Sequence, residues 1–365
     1  MKITFCLPGP GNEPVGGYKM VYEYANRLVK RGHSVVIVYD ASKFAEKYIG
    51  FIPNCGPKFL IKKVLIKIFR SRITWFDLEN EIKRVNALSG LSDKELPEAD
   101  IVIATAIETV EPVYNLSGSK GKKVAFAQDI ENWNFSDEYV NMTYGLPFKY
   151  IAVSEWIRSR ISKYSVYPVE LIPNGIDFSK LYVKGKIEKR NPAVVSMLYH
   201  SMPNKGCKYG ISALLKLKEF VPELKVLMFG VPKRPANLPE WFHYTQKATE
   251  EQLLEIYNES AVFLCPTIDE GFGLTGAESM ACGCALVSTN YTGVMEYAED
   301  NVNSLLCEKE NADSLCAAMK KLIDDNEIRI KLAKNGVESI KKLDWKKAVE
   351  KFEEVLVKVH SGEEF

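Results

Sequence analysis

The sequence predicts an α/β fold of two doubly wound domains that face a cleft, and three observations support this prediction. The chain has 365 residues, which suggests two domains at roughly 150 residues each. From Ile3 to Val38 a strand, a glycine-rich loop, a helix and a second strand follow one another, as in a parallel sheet with crossover helices. The same alternation restarts at Ala193, after a lysine-rich connector from Lys184 to Arg190.

In the first half, short apolar runs predict the strands. They cover Ile3–Leu7, Val35–Val38, Ile101–Ala104, Val124–Ala127 and Tyr150–Val153. Between the first two runs, Val21, Ala25 and Leu28 recur at helical spacing, and Gly32 ends this predicted helix. A further helix is expected from about Glu155.

The second half shows the same alternation of strands and helices. The predicted strands are Ala193–Leu198, Lys225–Phe229, Val262–Cys265 and Ala285–Ser288, and the predicted helices are Ile211–Phe220, Glu250–Tyr257 and Thr275–Ala281. The tail from Ala312 to Val359 is expected to be helical, with breaks near Asp325 and Leu343–Asp344. Ligands of such sheets bind beyond the carboxyl ends of the strands, so we expect the site there.

Composition narrows the function classes. The 48 Lys and Arg residues nearly balance the 47 Asp and Glu residues, which gives no overall electrostatic reason to expect a nucleic-acid partner. Cys282 and Cys284 form a close pair without a second pair at zinc spacing, so neither a metal site nor a disulfide is expected. The apolar run after Lys2 is too short for a signal peptide or a membrane span, and we expect a cytoplasmic protein.

The segment from Pro266 to Ala281 carries the most chemical information. It follows a buried strand and opens a helix, and Gly271 and Gly273 allow a tight turn and a close approach to a ligand. The free amides at the helix start predict a phosphate site. The residues expected to bind a donor phosphate here are Gly271, Phe272, Gly273, Leu274 and Thr275.

Two carboxylates flank this predicted phosphate site. Glu270 precedes the glycines, and Glu278 lies about one turn into the helix. A carboxylate beside a phosphate would accept hydrogen bonds from neutral hydroxyls, such as those of a ribose or a hexose. The alternative is that Glu270 caps the helix and Glu278 lies on a solvated face.

The motifs of this segment resemble a known enzyme family. Glu270 and Glu278 stand in the pattern Glu-Gly-Phe-Gly-Leu-x-x-x-Glu-x-Met-Ala-x-Gly, which is followed by Gly293-Val294-x-Glu296. This block resembles the retaining, nucleotide-sugar-dependent glycosyltransferases of family 4, which have two Rossmann-like domains in a GT-B architecture. The resemblance covers nearly the whole chain. It extends to Gly16-Gly17, Ala152–Ser154, Ile172–Asp177, Pro203–Gly206, Asn303–Leu306 and the last helix from Trp345.

The resemblance implies a domain organisation. Residues 1–178 would form the acceptor-side domain and residues 179–344 the domain that binds the nucleotide sugar. The last helix, at about 345–361, would return to the first domain.

The resemblance also implies roles for individual residues. Glu278 would bind the donor ribose, and Glu270 would contact hydroxyls of the transferred sugar. Lys205 would neutralise the donor diphosphate, which Gly16 and Gly17 would approach from the first domain. No metal or other cofactor is implied, because a lysine and helix-end amides would stabilise the leaving diphosphate. The substrates would be a nucleotide-diphosphate sugar and a glycan or lipid-linked glycan acceptor.

The chain departs from the family pattern at two places. His200 stands where many members have an arginine, five residues before the loop lysine; a neutral imidazole would supply less charge, and a protonated one would make turnover pH-dependent. We expect Lys205, Glu270 and His200 to be the catalytic residues. Gln128 and Asp129 stand where many members carry a histidine, and this form resembles a branch that includes polysaccharide rhamnosyltransferases. Both are expected on the acceptor side, unless they are only a polar end to a strand.

Three alternatives remain at this stage. Asp129-Ile130-Glu131 could be the acidic metal motif of the other major glycosyltransferase fold, which would leave the second domain unexplained. A dinucleotide-dependent oxidoreductase would need a third glycine where the chain has Pro14. A non-catalytic glycan-binding relative would be expected to lack the phosphate-site residues.

A cationic segment, from Lys58 to Arg72, contains no acidic residue. On a helical wheel its apolar residues fall mostly opposite its basic ones, as in helices that lie on anionic membranes. The expected contacts to a membrane are Lys58, Lys62, Lys63, Lys67 and Arg70. The alternative is an ordinary helix with solvated lysines. A lipid-linked acceptor would give this segment a purpose, and the segment then predicts peripheral association with the inner face of the plasma membrane.

Overall fold

The structure is a computed structural model that describes residues 1–42, 73–132 and 135–363. It consists of two compact units, Met1–Ile172 with Ala348–Phe365, and Pro173–Lys347. Each unit is built on a parallel sheet, and the predicted α/β class with two such sheets is confirmed. The cationic segment from Lys58 to Arg72 lies outside the described residues.

The first unit has a seven-stranded sheet in the order β3-β2-β1-β4-β5-β6-β7, with every pair of neighbours parallel. The strands are β1 Lys2–Leu7, β2 Ser34–Asp40, β3 Lys83–Ala87, β4 Ile101–Ala104, β5 Lys122–Ala127, β6 Lys149–Ala152 and β7 Glu170–Leu171. The helices include Gly16–Lys30, Ile107–Tyr114, Asp137–Tyr144 and Glu155–Ile161. The central strands are almost entirely apolar and buried, because helices pack on both faces of a parallel sheet.

The second unit has a six-stranded parallel sheet in the order β10-β9-β8-β11-β12-β13. The strands are β8 Val194–Leu198, β9 Lys225–Gly230, β10 Phe242–Gln246, β11 Val262–Cys265, β12 Ala285–Thr289 and β13 Ser304–Cys307. The helices are Cys207–Phe220, Glu250–Glu259, Leu274–Ala281, Ala312–Asp324 and Asn326–Ile340. Val195, Met197, Val262, Leu264 and Val287 lie in its hydrophobic core.

The two ends of the second unit, near Pro173 and Lys347, contact each other. Gly175 lies so close to the Trp345 ring that an added Cβ would be 2.5 Å from Cδ2. The backbone N–H of Ile176 donates to the carbonyl of Leu343 at 2.7 Å. These contacts join the chain from Pro173 onward to the second unit, although the sequence placed the boundary after residue 178.

The last helix, Trp345–Ser361, belongs to the first unit from Ala348 onward. Phe352 is fully buried there, and its ring stacks on Tyr24 with centroids 4.1 Å apart. The Glu353 carboxylate accepts from Arg31 at 2.6 Å and contacts His33 at the same distance. This helix therefore completes the core of the first unit.

In each sheet the strand order reverses between two neighbouring strands, which are β1 and β4 in the first unit and β8 and β11 in the second. Loops leaving the carboxyl ends of these strands diverge to opposite sides and leave a crevice where ligands of such sheets bind. The predicted site residues of the second unit follow β8 and β11, and those of the first unit follow β1 and β5. Within the described residues, no helix is both long and apolar enough to cross a membrane.

Candidate functional site

Two loops at the strand reversal of the second sheet carry the predicted catalytic residues. The loop after β8 runs from Tyr199 to Gly206 and includes His200 and Lys205, and the loop after β11 includes Glu270. Backbone bonds join them, because the carbonyl of Asn204 accepts from the N–H of Ile268 at 2.7 Å. The fold thus brings together residues that are 65 positions apart.

Gly206 is required where these two loops meet. Its φ of +61° lies in the left-handed region, and an added Cβ would lie 1.9 Å from the carbonyl oxygen of Pro266. No L side chain fits in such a position without moving the backbone. The close approach fixes Lys205, the preceding residue, against the loop that carries Glu270.

Lys205 and Glu270 form an ion pair in which Nζ lies 2.5 Å from Oε1. Both side chains are mostly buried, with 18% and 23% of their surface exposed. A mostly buried ammonium group has already lost much of its hydration. It can therefore exchange its carboxylate partner for a more highly charged anion. The structure therefore brings into contact a cation and a carboxylate that the sequence singled out separately.

The surroundings of His200 favour the neutral form of its imidazole. Its Nδ1 accepts a hydrogen bond from the backbone N–H of Met202 at 3.1 Å, so the proton is not on that nitrogen. Burial, together with the charge of Lys205, lowers the pKa of His200 below its ordinary value, although Glu270 acts in the opposite direction. Of the two forms considered from the sequence, the structure favours the uncharged imidazole, and Lys205 supplies the positive charge.

The helix Leu274–Ala281 begins at the predicted phosphate site. Its N-cap is Gly273, which has a φ of +90° and offers no side chain to cap the first turn, and this turn contains no acidic residue. Gly271 and Phe272 are buried, whereas Leu274 and Thr275 are partly exposed. The amides at the start of this helix are thus arranged as in an anion site.

Glu278 is buried, with 5% of its surface exposed. Its Oε2 accepts a hydrogen bond from the hydroxyl of Tyr257 at 3.1 Å. Burial and the nearby Glu278 charge raise the pKa of Tyr257 well above its ordinary value, so the phenol remains a donor. The alternative of a solvated face is wrong for Glu278. No sequence motif pointed to Tyr257, which lies on the helix Glu250–Glu259.

The predicted residues of the first unit follow β1 and β5, the strand next to β4. Gly16 and Gly17 are the first two residues of the helix Gly16–Lys30 rather than part of the preceding loop. A Cβ built on Gly17 would lie 3.4 Å from Nε2 of Gln128, so these two predicted positions are neighbours. Asp129 lies in the loop after β5, where its Oδ1 accepts from the N–H of Ile130 at 2.8 Å.

Sequence reasoning did not single out Glu131 except within a metal motif. Its Oε2 accepts a hydrogen bond from the backbone N–H of Ile107 at 2.7 Å, at the start of the helix Ile107–Tyr114. A cavity of about 20 Å³, lined in part by Thr105, Gln128, Asp129 and Glu131, lies beside it; this is room for about one water molecule. Burial raises the pKa of Glu131 to about 8, and the negative charges of Asp129 and Glu108 add to this effect. The hydrogen bond from Ile107 acts in the opposite direction.

This raised pKa leads to a prediction about stability. The folded protein keeps Glu131 protonated between its ordinary value of 4.5 and about 8, while the unfolded chain ionises it. Stability should therefore fall as the pH rises through this range and stay constant, for this group, above it. Glu131→Gln keeps the acceptor for Ile107 and cannot ionise. In urea unfolding at about pH 5 and about pH 8.5, the variant should lose up to about 4 kcal/mol less stability than the wild type. Equal losses would contradict a buried, protonated Glu131.

In the described ranges, no group of three or more His, Cys, Asp or Glu side chains is arranged to hold a metal ion. The seven cysteines among these residues are buried free thiols. Burial raises the pKa of Cys284 to about 12, and this thiol is therefore unreactive at neutral pH.

Comparison with known proteins relates most of the second unit to glycosyltransferases. Residues 182–339 match the family described as glycosyl transferases group 1. An uncharacterized glycosyltransferase of Methanocaldococcus jannaschii is 28% identical over 210 residues, which are 55% of this chain and 57% of that protein. A Campylobacter jejuni N,N'-diacetylbacillosaminyl-diphospho-undecaprenol alpha-1,3-N-acetylgalactosaminyltransferase is 26% identical over 159 residues, 41% of each chain. The matched segment thus spans about two fifths to three fifths of these relatives.

The fold is shared over a greater length. Anabaena HepE, whose crystal structure contains UDP and glucose, matches with a TM-score of 0.72 and 16% identity, over 98% of this chain and 99% of that one. At this level of identity the likeness concerns the fold. Residues 182–339 are therefore similar to the group 1 glycosyltransferases, and the chain has the GT-B fold that was expected from the sequence.

Proposed function

We propose that the chain transfers a hexose from a nucleoside diphosphate sugar to a hydroxyl group of a glycan or lipid-linked glycan, with retention of configuration and without a metal ion. The observation that carries this proposal is the Lys205–Glu270 pair on two joined loops at the strand reversal of the second sheet. Similarity to the group 1 glycosyltransferases and a fold shared with a UDP-bound protein support it.

The ion pair suggests how the donor is received. In the free protein Lys205 and Glu270 neutralise each other. The diphosphate of a donor carries more negative charge than a carboxylate and would take over the ammonium group of Lys205. Glu270, released from this pair, would then accept hydrogen bonds from hydroxyls of the sugar.

The same residues would assist bond cleavage. The bond between the anomeric carbon and the phosphate oxygen breaks, and its electron pair stays on the diphosphate, where Lys205 and the amides at the start of the helix Leu274–Ala281 stabilise the charge. The acceptor oxygen bonds to the same face of the anomeric carbon, and its proton passes to the leaving phosphate. His200, uncharged and beside Lys205, would contact this region without adding charge.

The assignment of Glu278 to the donor ribose can be tested directly. Glu278→Ala should weaken binding of both a nucleoside diphosphate and its parent nucleoside by about 1–3 kcal/mol, because a buried hydrogen-bonding partner is lost. Isothermal titration calorimetry with UDP, GDP, ADP and dTDP measures the effect. Glu251→Ala, at an exposed carboxylate on a neighbouring helix, is the matched control and should bind as the wild type does. Unchanged affinity in Glu278→Ala would show that the ribose lies elsewhere.

For the acceptor we propose a lipid-linked glycan at the cytoplasmic face of a membrane. A related protein from Campylobacter jejuni is named for a diphospho-undecaprenol acceptor, and the sequence from Lys58 to Arg72 has the composition of a membrane-surface helix. The wild type should sediment with anionic vesicles and not with neutral ones. Reversing the charges of Lys62, Lys63, Lys67 and Arg70 should abolish this binding, and unchanged sedimentation would contradict it.

A further inference from the structure

Two buried tyrosine hydroxyls lie beneath the glycine loop of the phosphate site. Tyr291 precedes the short turn Thr292–Glu296 and Tyr297 follows it. Their rings are almost fully buried, with 0% and 2% of their surface exposed. The two hydroxyl oxygens lie 3.0 Å apart and are therefore hydrogen-bonded to each other.

The direction of these hydrogen bonds follows from the number of protons. The Tyr297 hydroxyl lies 2.8 Å from the carbonyl oxygen of Gly273, which can only accept, so Tyr297 uses its single proton there. The bond between the two hydroxyls is consequently donated by Tyr291. The carbonyl of Phe272, 3.5 Å from the Tyr291 hydroxyl, is a weaker contact. The result is a chain from Tyr291 through Tyr297 to the backbone of Gly273.

This chain helps to fix the direction of a backbone amide at the phosphate site. The carbonyl of Gly273 also accepts from the backbone N–H groups of Gly276 and Ala277, at the longer distances of 3.2 and 3.4 Å. The carbonyl of Gly273 and the N–H of Leu274 belong to one planar trans peptide, and they point in opposite directions. Holding the carbonyl toward Tyr297 therefore turns the N–H of Leu274 away from the tyrosines. Leu274 is the first residue of the helix Leu274–Ala281, where an anion would be bound.

The glycines above the tyrosines fit this arrangement closely. A Cβ on Gly273 would lie 1.8 Å from the hydroxyl oxygen of Tyr291, and one on Gly276 would lie 2.4 Å from that of Tyr297. The hydroxyls thus occupy the space that side chains at these two positions would need. Burial raises the pKa of both tyrosines well above their ordinary value, and each hydroxyl keeps its proton.

We propose that Tyr291 and Tyr297 are positioning residues for the donor diphosphate, which hold the Gly273–Leu274 peptide so that its N–H faces the phosphate. This role rests on the proposed function, because it requires a phosphate-bearing ligand at this helix. A purely structural role would affect binding of the diphosphate and of its parent nucleoside alike. The positioning role should affect binding of the diphosphate alone.

The test compares two ligands in tyrosine variants that keep the ring. The probes are the member of a UDP, GDP, ADP and dTDP panel that binds the wild type most tightly, and its parent nucleoside, each titrated by calorimetry. Tyr297→Phe should weaken binding of the diphosphate roughly tenfold and leave nucleoside binding unchanged. Tyr257→Phe removes the hydroxyl that contacts Glu278 and is the matched control; it should weaken binding of both ligands equally.

The outcomes separate the two proposals. If Tyr297→Phe weakens both ligands equally, or neither, the positioning role is wrong while the proposed function stands. If no member of the panel binds the wild type, the proposed function fails and the positioning role fails with it. Should Tyr297→Phe not fold, Tyr291→Phe provides the measurement, with the same selective loss expected at about threefold because its hydroxyl acts through Tyr297; equal effects on both ligands would again overturn the proposal.

Discussion

Replacing Lys205 with methionine is expected to lower kcat for sugar transfer or donor hydrolysis by about 100-fold or more. Methionine keeps much of the length of the lysine side chain and removes its charge, so the leaving diphosphate would lose the cation that we propose stabilises it. The ion pair with Glu270 at 2.5 Å shows that the ammonium group is held in the site rather than extended into solvent. Initial rates of nucleoside diphosphate release at saturating donor measure the effect.

Lys208 provides the control for this substitution. It lies three positions further along the chain, is exposed, and places its ammonium group 4.6 Å from the centre of the Tyr209 ring. Lys208→Met should retain the wild-type rate, since its ammonium group is exposed and lies over the Tyr209 ring. A Lys205→Met rate within about threefold of the wild type would show that the diphosphate charge is stabilised elsewhere.

The second large effect is expected for Gly273→Ala. The φ of +90° is strained for any residue with a side chain, and the new Cβ would lie 1.8 Å from the Tyr291 hydroxyl. Strain of this kind and overpacking cost roughly 1–3 kcal/mol each. We therefore expect the free energy of unfolding to fall by about 3 kcal/mol, together with loss of nucleotide binding.

Urea unfolding and calorimetry measure these two effects. Gly185→Ala is the matched control in the same unit, because an added Cβ there meets no atom within 4 Å and its φ is not in the left-handed region. Its stability and nucleotide affinity should equal those of the wild type. A Gly273→Ala variant as stable as this control would mean that the glycine loop can relax without cost.

The central strands could be predicted from the sequence and the edge strands could not. Ile101–Ala104 and Val262–Cys265 are fully buried and apolar, and both were predicted with their observed bounds. The strands that were missed, β3, β7, β10 and β13, are the outer strands of the two sheets. Outer strands have one unpaired side and often carry polar or charged residues, as in the Lys-Arg-Val-Asn-Ala sequence of β3. Their apolar signal is therefore weak.

The candidate site was predictable in its residue types but not in its contacts. The sequence pointed to Lys205, Glu270 and Glu278 through their motifs, and the structure places the first two in contact. It gave no indication that Lys205 and Glu270 pair with each other, because that contact depends on loops from two different strands. Tyr257 and Tyr297 were missed for a similar reason: the sequence around a tyrosine does not show whether its ring is buried or where its hydroxyl points.

We propose that the second unit binds the nucleoside diphosphate of a sugar donor, with Lys205 at the diphosphate and Glu278 at the ribose. The most direct measurement is calorimetric titration of the wild type, Lys205→Met and Glu278→Ala with the best-binding diphosphate of the panel and its parent nucleoside. We predict that the wild type prefers the diphosphate by at least about tenfold, that Lys205→Met loses this preference, and that Glu278→Ala weakens both ligands equally. A wild type that binds no member of the panel, or a preference that survives in Lys205→Met, would contradict the claim.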